Sequence, residues 1–459
     1  MISDQQYLDW LADDQGDRVV LVEAVYDGGV EYFASSPYIS QPGDTDPNRP
    51  YDDLLLTMGD IHMEVGGPIS VGDLVLINDG SLDGWIGRAW RGHPLRIWMG
   101  DAAWSRDDFR LEIDGINGGI EAPQSDRIEF VLYDQGDVLD QPLQATRLAD
   151  GNPVPVCYGT VFNAQPVLID AVNLTWQVHD GAITSVAVRD NGAPITPVST
   201  DLTNGKFTLG ASPVGTVTCT VVQADSSAAA IVTALAGRIS GVTVDAANFA
   251  TFPNTAPLGY YADSETTVGE AVRALVEPLG AVARFNRAGE LQLIRIGAPG
   301  TPVLELTPDD IAERGLRLLE FEAPRSRISV GYFRNWHPQI AAALAGIADP
   351  LRLVYGTEWL LKTATNSLPA YPLADERRID SLLMTGDDAQ AEADRRASLR
   401  STKRERWRVD AFVSAATLEL GSTVTISYPG YGFDAGRDGV VTAISKNLLS
   451  RRYQLEIFL

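Results

Sequence analysis

The chain has 459 residues, 45% of them hydrophobic, and a mean hydropathy of −0.05. That length is too great for one ordinary core and predicts two to four domains, while the apolar content excludes a disordered chain. Against 36 cationic side chains stand 61 carboxylates, a net charge of −25, which argues against tight binding to nucleic acid.

The imbalance is uneven. Residues 1–150 hold 29 acidic and 9 basic side chains, and residues 151–459 hold 32 and 27. Solubility explains such a surface, and so would a wall that nucleic acid must pass without sticking. The two cysteines, Cys157 and Cys219, form no ligand-spaced pair, so a reducing compartment is expected, with a single bridge left open. The start, Met1-Ile2-Ser3-Asp4, has neither the basic nor the apolar run of a signal peptide. The uncharged stretch Asn152–Ile169 is interrupted by three prolines and predicts no membrane span.

In chain order, Gln5–Ala12 predicts one short helical turn with Tyr7, Leu8 and Leu11 as its apolar stripe. Strands are expected at Arg18–Tyr26, Tyr51–Met58, Ile61–Val65, Leu74–Asn78, Leu95–Met99, Phe109–Ile116 and Arg127–Tyr133, a spacing that suits a sandwich or barrel. Asp79-Gly80 and Asp83-Gly84 predict tight turns. After a boundary near Gln144–Asn152 a second series follows at Val167–Val172, Leu174–His179, Ile183–Arg189, Lys206–Leu209 and Thr216–Gln223. Asp180-Gly181, Asn191-Gly192 and Asn204-Gly205 fall at its hairpin positions, and Ala224–Ala230 reads as a small-residue bridge.

Thr267 with Glu270 forms a capping box ahead of a helix over Val268–Leu279, which Gly280 ends. A hairpin of Ala281–Phe285 and Glu290–Ile296 follows, making a compact α+β unit. Thr385 with Asp388 opens one further helix, lined by Ala389, Ala393 and Ala397 and running to about Arg400. Trp407, Val409, Ala411 and Val413 alternate along a strand, and three more follow at Thr423–Tyr428, Gly439–Ile444 and Arg451–Leu459. In the last, Tyr453, Leu455, Ile457 and Leu459 share one face. The fold class expected is mainly β with α+β elements, in four segments: an acidic β-domain (1–148), a small sandwich-like domain (149–225), the α+β unit (226–300) and a C-terminal β-domain with one helix (301–459).

Chemistry is sparse. The four histidines, His62, His93, His179 and His337, form no H-E-x-x-H pair, and no G-x-S-x-G occurs. Asp60, His62 and Glu64 alternate on one strand and would share a face able to hold a divalent ion, although a solvated strand face has the same pattern. Asp107-Asp108 would flank a strand, and Asp309-Asp310 follows Pro308, where a helix N-terminus would favour acids. Gly430-Tyr431-Gly432-Phe433-Asp434-Ala435-Gly436 has its third glycine one position late for a dinucleotide loop and reads as a surface loop. Arg395–Arg408 packs seven cations against Glu405. It fits a solvated helix end, a nucleic-acid contact, or a patch that meets an acidic domain of a neighbouring subunit. Trp85, Trp90, Trp98 and Trp104 belong to the core or to a glycan-binding face. No catalytic, cofactor-binding or metal residue is assigned.

Four stretches then stand in order along nearly the whole chain. The first is Arg96-Ile97-Trp98-Met99-Gly100-Asp101 through Trp104 to Phe109, with Asp114-Gly115 beyond. The second runs from His179-Asp180-Gly181 through Asp190-Asn191-Gly192 to Gly215-Thr216-Val217-Thr218. The third is the capped helix with Leu279-Gly280-Ala281 and Arg287-Ala288-Gly289-Glu290-Leu291. The fourth joins Gly331-Tyr332-Phe333-Arg334-Asn335-Trp336 to Leu420-Gly421-Ser422-Thr423-Val424-Thr425, Gly439-Val440-Val441 and Leu455-Glu456-Ile457. Together they resemble the tail-tip and baseplate hub proteins of tailed phages and prophages, including Mu-like prophages with long non-contractile tails.

The resemblance implies small tail-tube-like β-domains closed into a ring, commonly a homotrimer and alternatively a hexamer. Its partners would be a tail tube or distal tail protein on one side and fibre or spike proteins on the other. DNA would pass through without tight binding. The location implied is the virion tail tip, assembled in the host cytoplasm. No cofactor is expected, and no lysozyme-like module accompanies the pattern, so the reading is not an enzyme. The alternatives are a distal tail or fibre-attachment ring and a receptor- or glycan-binding tail protein.

Overall fold

The computed structural model describes residues 2–340 except 68, residue 344, and residues 348–459. The chain is mainly β and forms two compact units, each built from separate stretches. Unit one comprises residues 1–137, 284–322 and 404–459; unit two comprises 138–283 and 323–403. Of the expected segments, 149–225 lies wholly in unit two, 226–300 is divided at 283/284, and 301–459 contributes to both.

In unit one, Ser3 and Gln6 make a full capping box for a nine-residue helix, Asp4–Ala12, longer than the single turn expected. In a nine-stranded sheet Arg18–Tyr26 is an inner strand, which pairs with Gly29–Ala34 on one side and with the middle strand, Pro94–Asp101, on the other. The unbroken apolar run in Arg18–Tyr26 follows from burial on both faces. Val19 and Leu21 pack with Tyr38, Tyr51 and Phe109, whereas Val20, Val22 and Ala24 enter the larger core. The expected strand Tyr51–Met58 is two strands, Pro50–Asp53 and Leu55–Met58. Arg110–Gln124 runs 15 residues, well past Ile116, and absorbs its length through register shifts near Gly119 and Gln124.

An eight-stranded sheet completes unit one. Arg452–Phe458 lies between Arg437–Asn447 and Arg404–Ala411, and Ile61–Glu64 adds to Arg437–Asn447. Tyr453, Leu455, Ile457 and Leu459 all enter the same core as Val20 and Phe130, as the alternation requires. Val413 leaves the strand pattern and begins a 3-10 turn, Val413–Ala415. The tight turn expected at Asp83-Gly84 takes 3-10 form, Asp83–Trp85, where Asp83 Oδ1 accepts a bond from Asn78 Nδ2 at 2.9 Å.

In unit two, a five-stranded sheet (Ala193–Ile195, Ser185–Asp190, Val217–Val222, Val156–Ala164, Gly259–Ala262) and a four-stranded one (Val167–Asp170, Thr175–Gln177, Lys206–Thr208, Ser199–Asp201) share a core that includes Val161, Val188, Phe207 and Val221. Val156–Ala164 is a strand that the sequence does not signal, because its flanking prolines read as breakers; eight of its nine residues are buried. Asn191 (φ 48°) and Gly192 (φ 84°) make the expected two-residue hairpin. Asp180-Gly181 does not, because the strands that flank it, Thr175–Gln177 and Ser185–Asp190, lie in different sheets; the Asp180 carboxylate makes a bidentate pair with Arg238 at 2.7 and 2.9 Å.

The small-residue bridge is in fact the entry to a helix, Ala228–Ala236, capped by Ser227. Alanines are the best helix formers, and their smallness concealed the pattern. Asp349–Gly356 is a second helix beyond the one expected after residue 300. The capped helix spans Val268–Val276, continues as the 3-10 turn Glu277–Leu279 and stops at Gly280 (φ 71°). The helix Gly386–Leu399 buries Ala389, Ala393 and Ala397. It adjoins a three-stranded sheet of Leu360–Thr365, Arg327–Tyr332 and Glu376–Asp380. No described helix is long and apolar enough to cross a membrane.

Candidate functional site

The strand–loop–strand between Pro94 and Arg110 is held by Arg106. Its Nε donates to Tyr51 Oη at 2.9 Å, it pairs with Glu23, and its guanidinium lies 3.8 Å from the Trp98 ring centroid. Its backbone N–H donates to Asp44 Oδ2 at 3.0 Å. Burial pushes the Tyr51 phenol up, so it stays protonated and can donate toward Glu23 at 2.8 Å. The Arg106 guanidinium, the Tyr51 hydroxyl, Glu23 and Asp44 answer one another and fix the loop, whereas the buried Trp98 Nε1 has no hydrogen-bond partner among the described residues.

The strand face of Asp60, His62 and Glu64 is solvated. His62 Nε2 is 3.9 Å from Glu64, and Asp60 accepts a bond from Asn447 Nδ2 at 2.8 Å. Among the described residues no group of three or more His, Cys, Asp or Glu side chains is placed to hold a metal ion. Asp107 accepts from the backbone N–H and the hydroxyl of Thr45, both at 2.9 Å. Asp310 does the same for Thr307, at 3.0 and 2.7 Å. No helix starts after Pro308: this is a side-chain-closed turn that leads into the strand Ile311–Glu322. The Gly430–Gly436 segment is a loop followed by the strand Arg437–Asn447, anchored by buried Phe433 edge-on to Trp407 at 5.0 Å.

Trp85 and Trp90 are buried and pack together at 5.4 Å, with Phe130 beside them; Trp98 and Trp104 are half-buried. The tryptophans of the sequence pattern are chiefly core.

The basic segment divides in two. In unit two, Arg395 and Arg396 both pair with Glu392, whose side chain is 1% exposed. They also reach the carbonyls that end the capped helix: Arg396 donates to Pro278 O at 2.7 Å and Glu277 O at 3.2 Å, and Arg395 to Leu279 O at 3.3 Å. They therefore neutralise the negative pole of a second helix, Val268–Val276, rather than ending their own in solvent. In unit one, Arg406 pairs with Glu320 at 3.0 Å, and Arg408 with Glu456 at 3.0 Å. Much of this positive charge is thus answered within the chain.

Sequence reasoning missed a polar cluster in unit two. The His179 Nδ1 accepts the Cys157 backbone N–H at 3.0 Å, and burial pulls the imidazole down to about 4. Arg238 joins Asp180 to Tyr158 Oη, at 2.8 Å from the latter. Cys157 and Cys219 are both free and buried in one core, and burial raises both thiols. With its lone pair already bonded, His179 cannot serve as a base toward either thiol, so the cluster is a scaffold. The His179-Asp180 neighbours in sequence were the available signal.

Many acids of the first 137 residues face outward, among them Asp9, Asp17, Asp52, Asp53, Asp73 and Asp126. No protein-family model matches the sequence, and no curated protein does. Among solved structures the chain is similar to the tail protein from Neisseria meningitidis MC58, at 12% identity over 96% of this chain and 97% of that one, with a TM-score of 0.48. It is also similar to the 43 kDa tail protein of prophage MuSo2 from Shewanella oneidensis, at 9% identity over 96% and 98%, TM-score 0.45. A chain of the native gene transfer agent virion is 14% identical over 70% of this chain and 91% of its own, TM-score 0.46.

Proposed function

We propose that the chain is a structural virion protein of a phage tail, the hub of the tail tip or baseplate, and not an enzyme. The observation that carries the reading is the ordered run of four hub-like stretches from Arg96 to Ile457. Outward-facing acids support it, because a conduit for DNA gains from few attractive phosphate contacts. In this role three copies surround the DNA exit channel, bound to a tail tube or distal tail protein on one side and to fibre or spike proteins on the other.

The test is an electron-microscopy reconstruction of an intact particle. The expected result is this subunit on the tail axis with three-fold symmetry and acidic residues, many of them from 1–150, lining the channel. A six-fold ring of the same chain would make it a distal tail or fibre-attachment protein. A subunit off the axis, or a basic inner wall, would refute the hub reading. Glycan binding through the tryptophans finds no support in the burial of Trp85 and Trp90.

A further inference from the structure

Unit one carries 40 carboxylates against 20 cations, yet one of its pockets is cationic. Met63, Ile294 and Leu418 supply apolar lining, and Arg284, Arg287 and Glu419 supply charge; Lys446, also at its wall, is already paired with Glu112. Arg284 is only 8% exposed. Its hydrogen bonds run to two backbone carbonyls, Phe285 O at 3.3 Å and Glu64 O at 3.4 Å. Asp134 and Glu419 attract it through space, and burial still holds its pKa below the ordinary arginine value. Among the described residues neither carboxylate forms an ion pair with it, and Glu419 pairs instead with Arg287 at 3.4 Å.

A buried guanidinium without a carboxylate in contact is a costly arrangement, and a carboxylate offering two oxygens is its best complement. The cavity is small, about 40 Å³, so only a compact ligand can enter it. We propose that this pocket binds a carboxylate carried on a short aliphatic stem, with the head on Arg284 and Arg287 and the stem against Met63, Ile294 and Leu418. Free short-chain acids and the glutamate side chain of a peptide share that chemistry. The proposal does not depend on a role in a tail, and particle symmetry has no bearing on it.

The test is a titration of the full chain, labelled with ¹³C at its methionine methyls, with butyrate, with acetyl-Ala-Glu-Ala-amide and with butyramide. The Met63 resonance, assigned by M63L, should move saturably with butyrate, the glutamate peptide, or both. Butyrate alone identifies a free acid as ligand, and a response to the peptide identifies a glutamate side chain. R287Q should weaken binding about fivefold through loss of a charge-assisted contact. E419Q should tighten it about threefold by removing the competing internal carboxylate. These two residues are at least partly exposed, so the variants keep the test open should R284Q fail to fold. Equal response to butyramide, or none to either carboxylate, would overturn the proposal.

Discussion

Lys446 donates to the Glu112 carboxylate across 334 positions of sequence, in the interior of unit one, with the two residues 6% and 2% exposed. The other oxygen of Glu112 accepts from Tyr7 Oη at 2.9 Å and lies 3.7 Å from Arg110 Nε. One carboxylate thus joins the first helix, the long strand Arg110–Gln124 and the penultimate strand Arg437–Asn447. The joint closes the unit's earliest and latest residues onto each other.

Removing one partner of this pair leaves a buried charge poorly answered, so K446M should cost about 3–5 kcal/mol in urea denaturation at pH 7. E112M/K446M should recover much of that loss. Lys446 and Arg110 hold Glu112 below the ordinary glutamate value despite its burial. The stabilisation is therefore present above that ordinary value and disappears as pH falls through the lower folded one. A wild-type stability that did not fall more steeply in acid than that of E112M/K446M would contradict this.

His179 responds to acid in a higher window. Its folded pKa of about 4 lies below the ordinary value of 6.5, so the unfolded chain binds the proton first. Stability should decline as pH drops from about 6.5 toward 4, by roughly 3 kcal/mol in total. H179Q should flatten the slope in that window, as read from urea midpoints at pH 7.5 and 5.0.

Gly159 is fixed by backbone approach. It has φ 66°, and a Cβ there would lie 1.9 Å from the carbonyl oxygen of Leu258. Nothing flexible can yield, so G159A should destabilise unit two by more than about 3 kcal/mol. Thermal melting of G159A beside G241A, where a Cβ meets open space at φ 85°, separates close contact from dihedral strain; similar losses would count against the argument.

The Glu392 clamp gives a milder effect. R396M removes one of two guanidinium partners and uncovers the carbonyls of Glu277 and Pro278, for an expected loss of about 1–3 kcal/mol. E392Q should cost at least as much, since it leaves both Arg395 and Arg396 without their carboxylate. Hydrogen exchange in the turn Glu277–Leu279 should quicken in both variants.

Local chemistry made much of this fold legible. The Thr267–Glu270 box, the Thr385 cap, the Asn191-Gly192 turn and the alternation from Tyr453 to Leu459 are short-range signals, and each is present. What escaped were elements whose signals compete. Val156–Ala164 is hidden by its prolines, and Ala228–Ala236 is hidden by side chains too small to mark a face. Asp180-Gly181 has the composition of a hairpin turn, but the strands on its two sides join different sheets, a choice no local signal records.

By itself the sequence determined the β-rich character, the acidic first third, the caps and the tight turns, because these depend on residues within a few positions of one another. Only the tertiary structure decided that Ile61–Glu64 lies beside Arg437–Asn447, that Glu112 meets Lys446, and that Arg395 and Arg396 close another helix. The physical reason is that period-two alternation selects a strand's buried face but not its neighbour. Backbone hydrogen bonds are the same for every strand, so partners are chosen by burial and charge pairing across the whole chain.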